Sequence, residues 1–200
     1  MATEGSWPSI EKYGLQCTKT LLDRYKASTV QRDNLLLKHR PESVAISSIE
    51  YPNATIRDQK PMSDKGLQKA LGGSCTTAEW YELLNSRVFF WLTEERLKTM
   101  LGARTYKNSK HDVLTIDTRK LVNDYSDRIL LSPMNSGNTK PFPHPRTPAI
   151  FQSIQAFPFA ERRKTRKLKD TVVELTVETS VPNIADYVID VSTISIADLN

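Results

Sequence analysis

Val172-Val173-Glu174-Leu175-Thr176-Val177 is the stretch on which the fold turns. Four of its six side chains branch at Cβ, which suits a pleated, half-buried surface. Period two puts Val173, Leu175 and Val177 on one face and Glu174, Thr176 and Glu178 on the other. The apolar face demands a covering layer; alternation alone makes the polar face solvated. Shorter β-branched or aromatic runs recur upstream: Ser43-Val44-Ala45-Ile46, Thr55-Ile56-Arg57, Arg87-Val88-Phe89-Phe90-Trp91, Val113-Leu114-Thr115-Ile116, Ile129-Leu130-Leu131 and Ala149-Ile150-Phe151. Helix signals stand mainly ahead of them. Ser6-Trp7-Pro8 opens a helix for which Gly14 serves as a left-handed stop. Ser28-Thr29-Val30-Gln31 fits a capping box for a helix ending before Pro41, and Ser63 caps one closed by Gly72-Gly73. Thr76-Thr77-Ala78-Glu79 is a second box, and Thr93 starts a segment that Gly102 ends. Without βαβ alternation this pattern predicts α+β, its helices mainly in the N-terminal half. They would pack on a central mixed or antiparallel sheet built largely by the C-terminal half.

Two hundred residues predict one domain over 1–200, long enough to bury a core without disulfides or metal. Charged residues at 26% and hydrophobic ones at 38% exclude a disordered chain. The longest apolar run, Val88–Leu92, is far short of the roughly 18 residues that a membrane span needs, and no signal peptide precedes it. Cys17 and Cys75 form no CxxC pair, and His39, His111 and His144 are scattered, so no metal centre is expected. The expected setting is a reducing cytoplasm. Net charge is +5, and the segment from Glu161 to Lys169 carries all of it: Arg162, Arg163, Lys164, Arg166, Lys167 and Lys169 against Glu161. Such a run is a solvated loop or helix face, or it steers a polyanion such as single-stranded DNA or RNA to a nearby site.

Residues 132–148 hold five of the eleven prolines together with Asn135, Gly137 and Asn138, a long excursion that is either a rigid surface loop or a binding loop. GxSxG, HExxH, GxxxxGK[ST] and GxGxxG are all missing. That lowers the serine hydrolase, zincin, P-loop and Rossmann readings.

Six blocks carry a resemblance. Trp7-Pro8-Ser9-Ile10, Gly14-Leu15, Ile56-Arg57-Asp58-Gln59-Lys60-Pro61-Met62, Trp80-Tyr81 with Leu84-Asn85, Arg87–Trp91 and Leu131-Ser132-Pro133-Met134-Asn135-Ser136-Gly137 together resemble an uncharacterised bacterial family over nearly the whole chain. That family in turn resembles DarT-type proteins, ADP-ribosyltransferase-fold enzymes that modify bases in single-stranded DNA. The second resemblance rests on the helix–Gly-Leu opening, the aromatic strand, and a late Glu-bearing strand followed by Val181-Pro182. It implies an ADP-ribosyltransferase-like fold and NAD as substrate. DarT-like proteins also begin with a strand whose histidine holds the nicotinamide-side ribose. Met1 stands about where that strand should end, and His39, His111 and His144 lie too far along to match it.

By this resemblance Glu174 is the catalytic carboxylate, bonding the ribose and stabilising an oxocarbenium-like state as the nicotinamide bond breaks. Arg57 and Arg87 supply planar forks for the pyrophosphate, and Asn135, Ser136 and Gly137 offer further donors. Each has a plainer reading: Glu174 on a solvated strand face, Arg57 paired with Asp58, Arg87 a solubilising edge residue, Asn135–Gly137 a simple turn. Phe89, Phe90 and Trp91 read as core. The function expected is NAD-binding ADP-ribosyl transfer, with a nucleic-acid base as acceptor. The alternatives are a non-enzymatic nucleic-acid-binding module of the same fold and a related enzyme acting on a small molecule or protein.

Overall fold

The computed structural model describes residues 1–199. In chain order they form β1 (Ala2–Thr3), α1 (Trp7–Tyr13), β2 (Leu15–Gln16), α2 (Thr18–Arg24), α3 (Thr29–Leu36), β3 (Val44–Ile46), β4 (Ala54–Ile56), α4 (Asp64–Leu71), α5 (Thr77–Asn85), β5 (Arg87–Trp91), α6 (Glu94–Leu101), β6 (His111–Ile116), α7 (Thr118–Tyr125), β7 (Ile129–Ser132), β8 (Gln152–Ser153), α8 (Phe159–Thr165), β9 (Glu174–Glu178), β10 (Ser180–Val181) and β11 (Val188–Ile194). The fold is α+β. No helix among the described residues is long and apolar enough to cross a membrane.

The central sheet runs β5-β9-β7-β8, every pair antiparallel, with three strands from the C-terminal half. Register sets Glu174 of β9 between Trp91 of β5 and Ser132 of β7. One face of this sheet buries Ile129, Leu131, Leu175 and Val177 against Leu121 and Tyr125 of α7. The other face is covered too: Leu130 meets a cluster of Trp80, Tyr81, Leu84, Leu67 and Leu71 from α4 and α5. The solvated-face reading of β9 is therefore overturned, since Glu174 is 3% exposed and Thr176 fully buried. Thr176 satisfies its hydroxyl by donating to the Leu130 carbonyl at 3.0 Å. Three further assemblies complete the fold: a β1-β6-β11 sheet, a β2-β10 pair, and a β3-β4 hairpin packed with α2 and α3 on Leu22, Leu35, Leu36, Ile46 and Ile56.

Local chemistry explains the helix starts. Thr76 accepts from the Glu79 N–H at 3.2 Å while Glu79 accepts from the Thr76 N–H at 2.7 Å, a full capping box worth about 1 kcal/mol. Ser63 and Thr93 cap as expected, Ser28 accepts from the Gln31 N–H without the reciprocal bond of the expected box, and Gly72 stops α4 in the left-handed region at φ 56°. Gly14 departs from its expected role. Its φ of 81° comes with ψ 163°, not a left-handed helical stop. A Cβ there would stand 2.5 Å from Pro182 Cα. Glycine is needed because the Val181-Pro182 turn crosses it, with β10 pairing on β2. Residues 148–151 also differ: Pro148–Ile150 is a 3-10 turn, and the strand comes only at Gln152. Pro148 lacks the N–H a ladder needs. The helices α2, α7 and α8 and the strands β1, β2, β10 and β11 went unforeseen, β11 because its apolar residues Val188, Ile189, Val191 and Ile194 follow no period of two.

Candidate functional site

A cavity of about 1100 Å³ lies between the central sheet and the first sixty residues of the chain. Arg57, Arg87, Asn135, Ser136, Gly137 and Glu174, distant in sequence, all line it. Glu174 projects from the sheet, with both carboxylate oxygens accepting from the Ser136 backbone N–H at 3.2 Å. Burial raises its pKa to about 7, against the opposing pull of the Ser136 bonds and the Arg146 and Arg96 charges. A carboxyl poised there changes protonation state at neutral pH, a property of groups that handle charge or protons in clefts.

The loop that touches Glu174 is held from behind. Arg146, 3% exposed, donates to the carbonyls of Ser136 at 2.9 Å, Asn138 at 2.7 Å and His144 at 3.1 Å. A longer bond of 3.4 Å reaches the Asn135 carbonyl. A planar guanidinium serves several acceptors at once, which lysine cannot do. Arg162 fixes the start of the same loop, donating to the Pro133 carbonyl at 3.0 Å. Asn135 folds into a turn, its Oδ1 accepting from the Gly137 N–H at 3.1 Å, so that side-chain oxygen is already engaged. The Ser136 hydroxyl is buried with no partner among the described residues.

Arg57 is not paired with Asp58. The Asp58 carboxylate accepts from the Tyr106 hydroxyl and the Lys60 N–H, and meets Ser43 Oγ at 3.3 Å. Arg57 lies 4.3 Å over the Tyr106 ring and donates to the Met1 carbonyl at 3.3 Å. Burial and the Asp58 bond push the Tyr106 hydroxyl up to about 12, so it stays protonated. Arg87 is no exposed edge residue. It is 8% exposed, bridges Glu178 at 3.3 Å and lies 4.9 Å over Phe151. Phe89, Phe90 and Trp91 all line the cavity; only Phe90 also packs on a core cluster and Phe89 is 39% exposed, which corrects the reading of all three rings as core. His111 lies opposite Thr3 on β6, buried and edge-on to Tyr106, 5.6 Å between ring centroids. It touches the cavity wall from behind and is not among the lining residues.

None of the six cations of the basic run lines this cavity. Arg162 is spent on backbone carbonyls, Lys164 pairs with Glu161 at 2.7 Å and Lys169 with Glu95 at 2.7 Å. Arg163, Arg166 and Lys167 make no ion pair among the described residues, and Arg163 and Lys167 border a second hollow of about 710 Å³ beside Leu92 and Phe159. No cluster of three or more His, Cys, Asp or Glu fit to hold a metal occurs among the described residues.

Several lining residues were missed: Tyr13, Arg24, Tyr25 and Tyr51 come from α1, the end of α2 and the turn ahead of β4, and nothing in their local sequence marks them. Arg146 was missed as well, because its acceptors are carbonyls that no pattern reveals.

The molecule is thus an α+β protein with a buried carboxylate at the floor of a large, arginine-lined cavity. The chain belongs to DUF7002, a family of unknown function whose model matches residues 1–188. No curated protein and no solved structure matches it. The link to DarT-type enzymes therefore rests on the residue resemblance alone.

Proposed function

We propose that the cavity binds NAD and that the protein transfers ADP-ribose, with Glu174 stabilising the charge that develops on the ribose as nicotinamide leaves. The observation that carries this reading is the meeting of a buried, solvent-starved Glu174 with Arg57 and the 135–137 turn around one cavity. Six cationic side chains line it against three acidic ones. Arg57 and Arg104 have no carboxylate partner within 4.0 Å among the described residues, which favours a phosphate-bearing ligand. In the reaction the C–N bond pair departs with nicotinamide, the acceptor's lone pair closes on the anomeric carbon, and the acceptor's N–H or O–H proton is lost to water. Only the ionised Glu174 stabilises the cationic centre, so turnover rises with pH through about 7.

Calorimetric titration with NAD and detection of released nicotinamide test it. Binding with slow release by the parent chain, and retained binding with release lost in Glu174→Gln, is the expected pair of results. A parent chain that takes up no NAD at millimolar concentration refutes the reading. The non-enzymatic alternative, a nucleic-acid-binding module, draws support from Arg163, Arg166 and Lys167, which make no ion pair among the described residues and lie outside the cavity.

A further inference from the structure

We propose that Tyr13, Arg24 and Tyr51 form a second subsite of the cavity, which holds a nucleoside monophosphate alongside the NAD and thereby defines the acceptor class. The assignment to an acceptor rests on the reading of the Glu174 end as the NAD site.

The three residues come from α1, α2 and the turn ahead of β4, and all line the cavity that reaches Glu174. The Arg24 guanidinium lies 5.3 Å from the Tyr13 ring centroid and 5.5 Å from that of Tyr51. The two rings meet edge to face with centroids 5.4 Å apart. One donor of Arg24 reaches the Tyr13 carbonyl at 3.1 Å. An arginine has five N–H donors, and no carboxylate of the described residues takes any of the others. A guanidinium set beside two aromatic rings, with donors left over, is suited to a phosphate carried next to a stacking ring.

A purely structural role explains the cluster less well. Tyr25 does pack against the Leu22 and Ile46 core and ties down the turn by donating its hydroxyl to the Pro52 carbonyl. Tyr13 and Tyr51 belong to none of the hydrophobic clusters and are half-buried on the cavity side. Space is also available. A site for one drug-sized ligand takes roughly 300–1,000 Å³, and this cavity has about 1100 Å³. The other unpaired stack, Arg57 on Tyr106, lies beyond β4 on the same wall and serves the first ligand. Two separate arginine–tyrosine clusters in one cavity supply two anion-binding positions, and the titrations below distinguish a second ligand from the two phosphates of NAD itself.

Uridine 5′-monophosphate is the probe, because its pyrimidine ring does not mimic the adenine half of NAD. It is titrated by calorimetry into the full chain, with and without saturating NAD. Binding is expected in both cases with affinities within about twofold. Arg24→Gln and Tyr51→Leu each weaken it about tenfold or more, a stacked and charge-assisted contact being lost. Arg24→Lys loses most of that affinity too, since it keeps the charge and not the plane. NAD affinity stays within about twofold of the parent in all three variants. Uridine and ribose 5-phosphate, each lacking half the recognition, bind at least tenfold more weakly than the monophosphate. Melting temperatures within a few degrees of the parent establish that the variants are folded. Competition between the nucleotide and NAD overturns the proposal, as does a nucleotide affinity that Arg24→Gln leaves unchanged. A chain that binds the monophosphate through Arg24 but takes no NAD refutes the NAD reading and leaves this subsite standing.

Discussion

Replacing Glu174 by Gln makes the folding stability of this protein respond differently to pH, and the size of the effect can be worked out. In the unfolded chain a glutamate titrates near 4.5; in the fold, burial raises Glu174 to about 7. A raised carboxyl pKa means the native state holds its proton more tightly than the unfolded one. The parent's stability from this group is therefore fully present below about pH 4.5 and declines as pH rises. Above about 7 the loss is complete. The gap of 7 − 4.5 at about 1.36 kcal/mol per pH unit comes to about 3 kcal/mol. Gln is neutral throughout and still accepts from the Ser136 N–H, so its own cost is constant with pH. The difference in unfolding free energy between variant and parent should thus shift in favour of the variant by about 3 kcal/mol between pH 4.5 and pH 8. Every other titrating group contributes equally to both proteins and cancels. Urea unfolding of the pair at four pH values measures it, provided the slopes agree. A difference that stays flat across this range refutes the reasoning, because Glu174 would then titrate as it does in water.

Gly14→Ala should destabilise the fold by at least about 2 kcal/mol, since its φ of 81° and the Pro182 backbone both exclude a Cβ; a melting curve unchanged from the parent would contradict the close crossing of α1 by the Val181-Pro182 turn. Reversing Arg163, Arg166 and Lys167 to glutamate leaves NAD affinity nearly unchanged, because none of them lines the cavity and exposed charges are screened within about 8 Å. If single-stranded nucleic acid is the partner, the same variant loses affinity and about one unit of log–log salt slope per lost phosphate contact, which fluorescence anisotropy reads. Equal slopes in parent and variant remove nucleic acid from the partners.

The site residues named from the sequence came from the resemblance more than from local pattern. By itself, alternation places Glu174 on a solvated strand face, and Asn, Ser and Gly at 135–137 in a proline-rich loop mark only a turn. Whether Glu174 faced water was not legible. Alternation reports that a strand has two faces and is silent on whether a second layer covers the polar one. Here α4 and α5 cover it with Trp80, Leu67 and Leu71. Arg57 and Asp58 are adjacent in the chain, yet Tyr106, forty-eight residues on, takes the aspartate and leaves the arginine free for the cavity.

The amino-acid sequence by itself determined what depends on neighbours three or four residues apart: the Thr76–Glu79 box, the Ser63 and Thr93 caps, the strands at Arg87 and Glu174, and hence the α+β class. Hydrogen bonds within a helical turn and the period of a strand are local, so local patterns disclose them. Only the tertiary structure decided that Arg162 and Arg146 brace a loop instead of meeting a ligand, that Gly14 yields to Pro182, and that Tyr13, Arg24 and Tyr51 meet on the cavity that Glu174 also lines. Those outcomes are set by packing between segments up to about 170 residues apart in the chain, where a side chain's partner depends on which surfaces the whole core brings together.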